Sequence, residues 1–387
     1  MWHRSHIVLM ALCLGVNAQA EPFVPRDDSL VVLRIEVTRE QSAIAALERR
    51  VAADGADVVA VHSLVDAYLD RGRLTAEPRY FGRAEALLTP WLEQPQPSAA
   101  LMLQMADIRQ YRHEYERALS LLDRVIESEP GLVQGRLMRA SILQTQGQFI
   151  AAHADCRWLL GHGETTLGTV CLAQVIGMTG SLTKAERLMT ALVERSGDLP
   201  ASQRAWMLTA LADMNDRLGR AEIAAASLEE ALAIDPQDHY ARLALADLLL
   251  ETGRENEVAG LLAQMPRTEG ALLRLAEVGQ PENPVQVEDV TALKARYKEA
   301  QLRGERLHLR DLARLHLRVP GDQQTALALA RENWKEQREP ADARLLAQAA
   351  LAAEDAASIE ALEEWRHETR YEDHTLDRLL RSARKQS

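Results

Sequence analysis

Cysteine, lysine, aromatic rings and long apolar runs are all scarce in this sequence, and each scarcity excludes something. Three cysteines in 387 residues cannot supply a disulfide framework, so the fold has to rest on a packed core. Aromatic residues make up 4% of the chain, and 20 glycines with 14 prolines are too few to punctuate the turns of a strand-rich protein of this size. Beyond residue 20 no stretch is long and uncharged enough to cross a bilayer core, which takes ~20 apolar residues. Basic residues are outnumbered, 45 against 57 acidic ones for a formal net charge of −12, and no basic stripe appears along the chain. Nucleic acid is therefore not an expected partner, since nothing would draw a phosphate backbone. Only five of the basic residues are lysines, a usage that fits a GC-rich bacterial genome. What is abundant instead is alanine, leucine, arginine and glutamate, in a chain that is 47% apolar. That is helix-forming usage, and an all-α protein is expected.

Residues 1–20 read as a signal peptide. Arg4 lies near the start, Ile7 to Val16 is an uncharged apolar run, and Ala18-Gln19-Ala20 puts small residues before a cleavage point. The run is half the length of a membrane span, so a retained anchor is the weaker reading. Cys13 follows Leu12, where a lipid-attachment motif would have a small residue. Cleavage after Ala20 is expected to leave a soluble exported chain without a membrane span. None of the five asparagines opens an Asn-x-Ser/Thr acceptor, which favours the periplasm of a Gram-negative bacterium over a eukaryotic secretory route. Residues 21–39, with the β-branched run Leu30 to Ile35, are expected as an extended arm.

From there the chain repeats itself. In segments starting near 99, 133, 166, 205 and 239, alanine returns at the eighth place (Ala106, Ala140, Ala173, Ala212, Ala246) and at the twentieth (Ala118, Ala152, Ala185, Ala224). Glycine returns at the fifteenth (Gly147, Gly180, Gly219, Gly253), and proline closes two units (Pro130, Pro236). Small residues let two antiparallel helices approach closely, glycine turns the chain between them, and proline stops the second helix. With successive segments 33 to 39 residues apart, the sequence resembles the tetratricopeptide repeat family. The resemblance implies a right-handed superhelical solenoid of antiparallel helix pairs, about eight hairpins in all. Tyr68, Gly72, Ala84 and Trp91 place a further unit near 58–95 if about seven residues are inserted around Thr75 to Pro78. Ala313 with Ala326, and Ala349 with Ala361, suggest two more, the earlier containing the turn Val319 to Asp322. Residues 40–265 are thus read as the N-terminal repeats and 305–387 as C-terminal hairpins. Between them, 266–304 is a degenerate repeat or a boundary: Thr268 to Val278 and Val287 to Arg303 look helical on either side of Gln280-Pro281-Glu282-Asn283-Pro284.

The family uses the concave side of such a solenoid to hold peptides or partner proteins. Carried onto this chain, the resemblance places Asp107, Gln110, Tyr111, Gln134, Ser141, Gln144, Gln174, Trp206, Thr209, Asp213, Asp216, Arg217, Tyr240 and Asp247 there. The set is polar, more acidic than basic, and suits an extended peptide with some positive charge; Trp206 and Tyr240 are the best anchors. A solvated face without a ligand and, for Trp206, a core position are the plainer readings. The lysine and asparagine pattern by which some family members clamp a C-terminal carboxylate is absent. Cys156 and Cys171, 15 residues apart on neighbouring helices, are either a disulfide or two buried thiols. With His153 and His162 they could offer soft-metal ligands, but the spacing matches no zinc signature. No phosphate-cradling loop, nucleophile elbow or His-Glu-x-x-His is present. No cofactor is expected, and the function expected is a non-enzymatic interaction adaptor. The alternatives are a self-associating scaffold, with Leu345 to Leu362 as its surface, and a metal-binding or enzymatic periplasmic protein. The basic end, Arg378 to Ser387, reads as a solvated cap.

Overall fold

The computed structural model describes residues 39–387 apart from 76, 264, 279–283, 303–308, 319–321 and 387. The signal peptide, nearly all of the arm, most of the proline run at 280–284 and the turn at 319–321 lie outside the described residues. Two compact units divide the chain, residues 1–46 and 47–387. The first enters the described residues only with the opening turns of α1 (Arg39–Ala53), so Arg39, placed at the end of the arm, begins a helix.

The second unit continues α1 and holds nineteen further helices among the described residues. They are α2 (Val58–Thr75), α3 (Pro78–Leu92), α4 (Ala99–Tyr111), α5 (Tyr115–Ser128), α6 (Val133–Thr145), α7 (Phe149–Gly161), α8 (Thr165–Gly177), α9 (Leu182–Glu194), α10 (Ala201–Arg217) and α11 (Ala221–Ile234). The rest are α12 (His239–Glu251), α13 (Glu255–Leu262), α14 (Glu269–Val278), α15 (Pro284–Leu302), α16 (Leu309–Arg318), α17 (Gln323–Glu336), α18 (Pro340–Ala352), α19 (Ala356–Thr369) and α20 (His374–Gln386). There is no strand among the described residues.

The repeated alanines sit where helices cross. Ala106, Ala118, Ala140, Ala152, Ala173, Ala185, Ala224 and Ala246 are fully buried and Ala212 nearly so, because only a methyl group fits between closely approaching helices. Larger apolar residues fill the flanks at helical spacing: in α5 the buried face is Tyr115, Ala118, Leu122, Val125 and Ile126, one stripe of an amphipathic helix. Asp238, Asp322 and Asp355 each accept a backbone N–H in the first turn of the helix they open, which fixes where α12, α17 and α19 begin. In the C-terminal hairpins Ala313, Ala326 and Ala349 are fully buried, and Ala361 alone of the four residues read there departs. Ala361 is exposed and Leu362 is fully buried, because the face α19 buries runs through Ser358, Ile359, Leu362 and Trp365.

Gly147, Gly180, Gly219 and Gly253 all have positive φ, between 74° and 81°, a conformation that costs other residues roughly 1–2 kcal/mol. His113 holds the same place in the first clear repeat with φ 56°. Three of these glycines also receive the C-terminal helices. A methyl group on Gly147 would meet Arg338 at 3.0 Å, one on Gly180 would meet Arg370 at 2.6 Å, and one on Gly219 would meet His374 at 2.9 Å. The links before α18 and α20 therefore lie against the turns of three successive repeats. Gly180→Ala is expected to cost about 2–4 kcal/mol, backbone strain and overpacking together, read as a lowered urea midpoint. Gly253→Ala, with open space around it, should cost only the backbone part.

This return of the C-terminal helices is what sequence periodicity does not show. One continuous core joins Ala140, Phe149 and Leu159 of the middle repeats to Leu346, Leu362, Trp365, Tyr371 and Leu376. Leu345, Leu346 and Leu362 are buried inside the molecule, while Ala352, Ala356, Ala357 and Ala361 of the same stretch are exposed, so these leucines are not part of a free surface. The basic residues Arg378, Arg381, Arg384 and Lys385 are exposed, but Leu376, Leu380 and Ala383 of the same helix are buried.

Candidate functional site

Two cavities open on the faces of α6, α8, α10 and α12. The larger, about 540 Å³, is lined by Ser141, Gln144 and Thr145 of α6, Gln174 of α8, and Trp206, Thr209, Asp213 and Arg217 of α10. Asp235, Asp238 and Tyr240 line it at the start of α12, and Arg310, Glu339, Pro340 and Ala341 close it from the C-terminal helices. The smaller, about 380 Å³, shares Thr209, Asp213 and Tyr240 and adds Asp216, Asp247, Glu251, Arg274, Arg314 and Arg344.

Of the residues the sequence placed on the concave side, Gln144, Trp206, Thr209, Asp213, Tyr240, Asp216 and Asp247 thus line one connected region, with Ser141, Gln174 and Arg217. Asp107, Gln110 and Tyr111 are not among the residues lining it. Tyr111 stacks on Phe81, ring centres 3.6 Å apart, and Asp107 pairs with Arg73. Gln134 is also absent from both linings. Trp206 serves two purposes: it is half-buried against Met207 and its neighbours, and it lines the larger cavity. Tyr240 is 73% exposed, an aromatic ring standing in the wall between the two cavities. Arg310, Glu339 and Pro340 were missed because nothing local in the sequence says that residues some 100 positions away close the groove.

The closure is polar. The Arg338 backbone N–H donates to the Thr145 carbonyl at 2.7 Å, and Thr145 Oγ1 donates to Glu339 at 3.1 Å. Gln337 Nε2 donates to the Tyr115 hydroxyl at 2.8 Å. Arg344 of α18 is the hub: its Nη1 lies 2.6 Å from Asp216 of α10 and 3.4 Å from Glu251 of α12, and its Nε lies 2.9 Å from Asp373. Arg217, fully buried, donates to the Gly177 carbonyl at 3.0 Å and lies over the Tyr371 ring.

Three carboxylates share the Arg344 guanidinium, so it compensates none of them fully. Burial pushes the Asp216 and Glu251 carboxyls above their ordinary values, although Arg344 opposes the shift. Asp247 goes the other way: burial raises it, but Arg274 and Arg314 together hold it below the ordinary value. The two kinds of shift predict opposite pH slopes. A carboxyl raised in the folded state takes up protons there first, so the native chain gains stability on Asp216→Asn/Glu251→Gln as pH falls through the raised values towards ~4. The stability contributed by Asp247 is present above the ordinary value of ~3.9 and is lost as pH falls through its lower folded value. Urea midpoints of the native chain, of Asp216→Asn/Glu251→Gln and of Asp247→Asn, from about pH 7 downward, check both signs.

Cys156 and Cys171 are joined in a disulfide between α7 and α8, with Cα atoms 5.3 Å apart. Nδ1 of His162 is 2.8 Å from the Trp158 carbonyl and its ring stacks on Trp158, so the soft-metal grouping is not assembled. Among the described residues no three histidine, cysteine or acidic side chains are placed to hold a metal, and no helix is long and apolar enough to cross a membrane.

The tetratricopeptide repeat family matches residues 217–278. No curated protein matches the chain. Among solved structures, a Rap protein complexed with competence and sporulation factor is similar with a TM-score of 0.50 at 11% identity, over 85% of this chain and 96% of that one. A tetratricopeptide repeat protein from Parabacteroides merdae is similar with a TM-score of 0.41 at 15% identity, over 66% of this chain and 92% of that one. Paired helices turned on positive-φ glycines and alanines buried at each crossing give this chain a tetratricopeptide-like helical-repeat fold, and within it residues 217–278 match the family.

Proposed function

We propose that the chain is a non-catalytic interaction scaffold of the bacterial cell envelope, and that its concave cavities hold a segment of a protein or peptide partner. The observation that carries this reading is Tyr240, 73% exposed inside a concavity, since exposed aromatic rings in pockets are typical binding hot spots. The similar Rap protein is complexed with competence and sporulation factor, and this chain is read as holding its partner on the same kind of fold. The envelope location follows from the signal-peptide reading of residues 1–20. In the cavities Asp213 pairs with Arg217, Asp247 with Arg314 and Asp216 with Arg344, which suits a binding wall better than groups poised for proton transfer.

Capture from periplasmic extract with residues 21–387 as bait, repeated with Tyr240→Ala, tests the reading. Tyr240→Ala should lower partner recovery about tenfold or more, a hot-spot loss of roughly 2 kcal/mol, with the melting temperature nearly unchanged. Equal recovery from both baits would refute it.

A further inference from the structure

We propose that the larger cavity is built for an arginine side chain delivered by the partner, which gives the groove reading above a chemical class of ligand. Four carboxylates line this cavity, Asp213, Asp235, Asp238 and Glu339, against two guanidiniums, Arg217 and Arg310. Both guanidiniums are already committed. Arg217 Nε donates to Asp213 at 3.0 Å and its Nη1 to the Gly177 carbonyl, while Arg310 is held by Asp342 at 2.5 Å and by Glu339. The start of α18, which also borders the cavity, has its first N–H taken by Asp342 at 2.9 Å. Neither guanidinium of the wall stands clear of a carboxylate to receive an anion.

Asp235 and Asp238 are different. Their carboxylates accept only the backbone N–H groups of Gln237 and Ala241, each at 2.9 Å, and neither has an ion pair among the described residues. They precede Tyr240 by five and two residues and line the same cavity as its exposed ring. A planar cation can lie over such a ring while its edge N–H groups reach carboxylates, a combination that suits guanidinium better than ammonium. A cavity of about 540 Å³ admits a side chain with its flanking backbone, and the net negative wall repels an acidic segment.

The test is titration calorimetry of residues 21–387 with three blocked peptides that differ only at the central residue, Gly-Leu-Arg-Leu-Gly and its lysine and glutamate counterparts. The arginine peptide should bind at least tenfold more tightly than the glutamate peptide and several-fold more tightly than the lysine one. Asp235→Asn/Asp238→Asn should weaken it about tenfold and flatten its salt dependence; asparagine keeps the α12 cap, so melting should stay unchanged. Arginine and glutamate peptides binding alike, or arginine peptide binding not at all, would overturn the proposal. If in that case Tyr240→Ala still abolishes partner capture, the groove reading stands and only the ligand class is wrong. If capture is also indifferent to Tyr240→Ala, both fall.

Discussion

Arg344→Ala is expected to cost about 3–5 kcal/mol, among the largest losses of any single substitution in this chain. The guanidinium is 9% exposed and touches Asp216, Glu251 and Asp373. Removing it strands Asp373, which is fully buried and keeps only the Tyr371 hydroxyl and the Leu376 N–H as donors, and takes the cation away from Asp216 and Glu251 in the half-buried cavity wall. A surface pair of the same geometry would contribute at most ~1 kcal/mol. Thermal or urea unfolding separates the two cases. Adding Asp373→Asn to Arg344→Ala should recover part of the loss, because one uncompensated charge is gone. A loss below ~1 kcal/mol for Arg344→Ala would mean that the hub is solvated and does not hold α18 to α10 and α12.

Reducing the Cys156–Cys171 disulfide should cost about 3 kcal/mol. The bridge closes a loop across a sequence separation of 15, and the chain-entropy argument gives about 3 kcal/mol for a loop of that length. Both cysteines are at most 1% exposed, so native protein should resist mild reductant and lose the bridge only when α7 and α8 separate. Melting with and without strong reductant, alongside Cys156→Ala/Cys171→Ala, is the check. The double variant should melt near the reduced protein and show no further response to reductant. Thiol titration that finds two free groups in unfolded, never-reduced protein would show that the two cysteines are unbridged.

The repeats were legible because they are local. Alanine at the crossings and glycine at the turns answer to contacts within one hairpin, so Ala140, Ala152 and Gly147 announce themselves by spacing. The groove was legible only in part. Gln144, Trp206, Thr209, Asp213 and Tyr240 occupy the repeat places that the family resemblance puts on the inner face, and they line the cavity. Asp107 and Tyr111 share such places, yet Arg73 and Phe81 of the preceding hairpin engage them. Periodicity gives a residue's face and says nothing of its neighbours. The contribution of Arg310, Glu339 and Arg344 was not legible at all, since it depends on the C-terminal helices reaching repeats some 100 to 200 positions away. The clearest local sign was the chain end. His374 to Gln386 carries leucine at two positions four apart, Leu376 and Leu380, beneath its arginines, which is the pattern of a docked helix more than of a solvated tail.

Site-specific photocrosslinking tests the central claim most directly. A benzoylphenylalanine placed at position 240, in the cavity wall, is compared in living cells with one at position 150, where Ile150 is 92% exposed and lines neither cavity. A discrete adduct from position 240 and none from position 150 is the predicted result. The same adducts from both positions, or none from position 240 in folded protein, would contradict a partner held in the concave cavities.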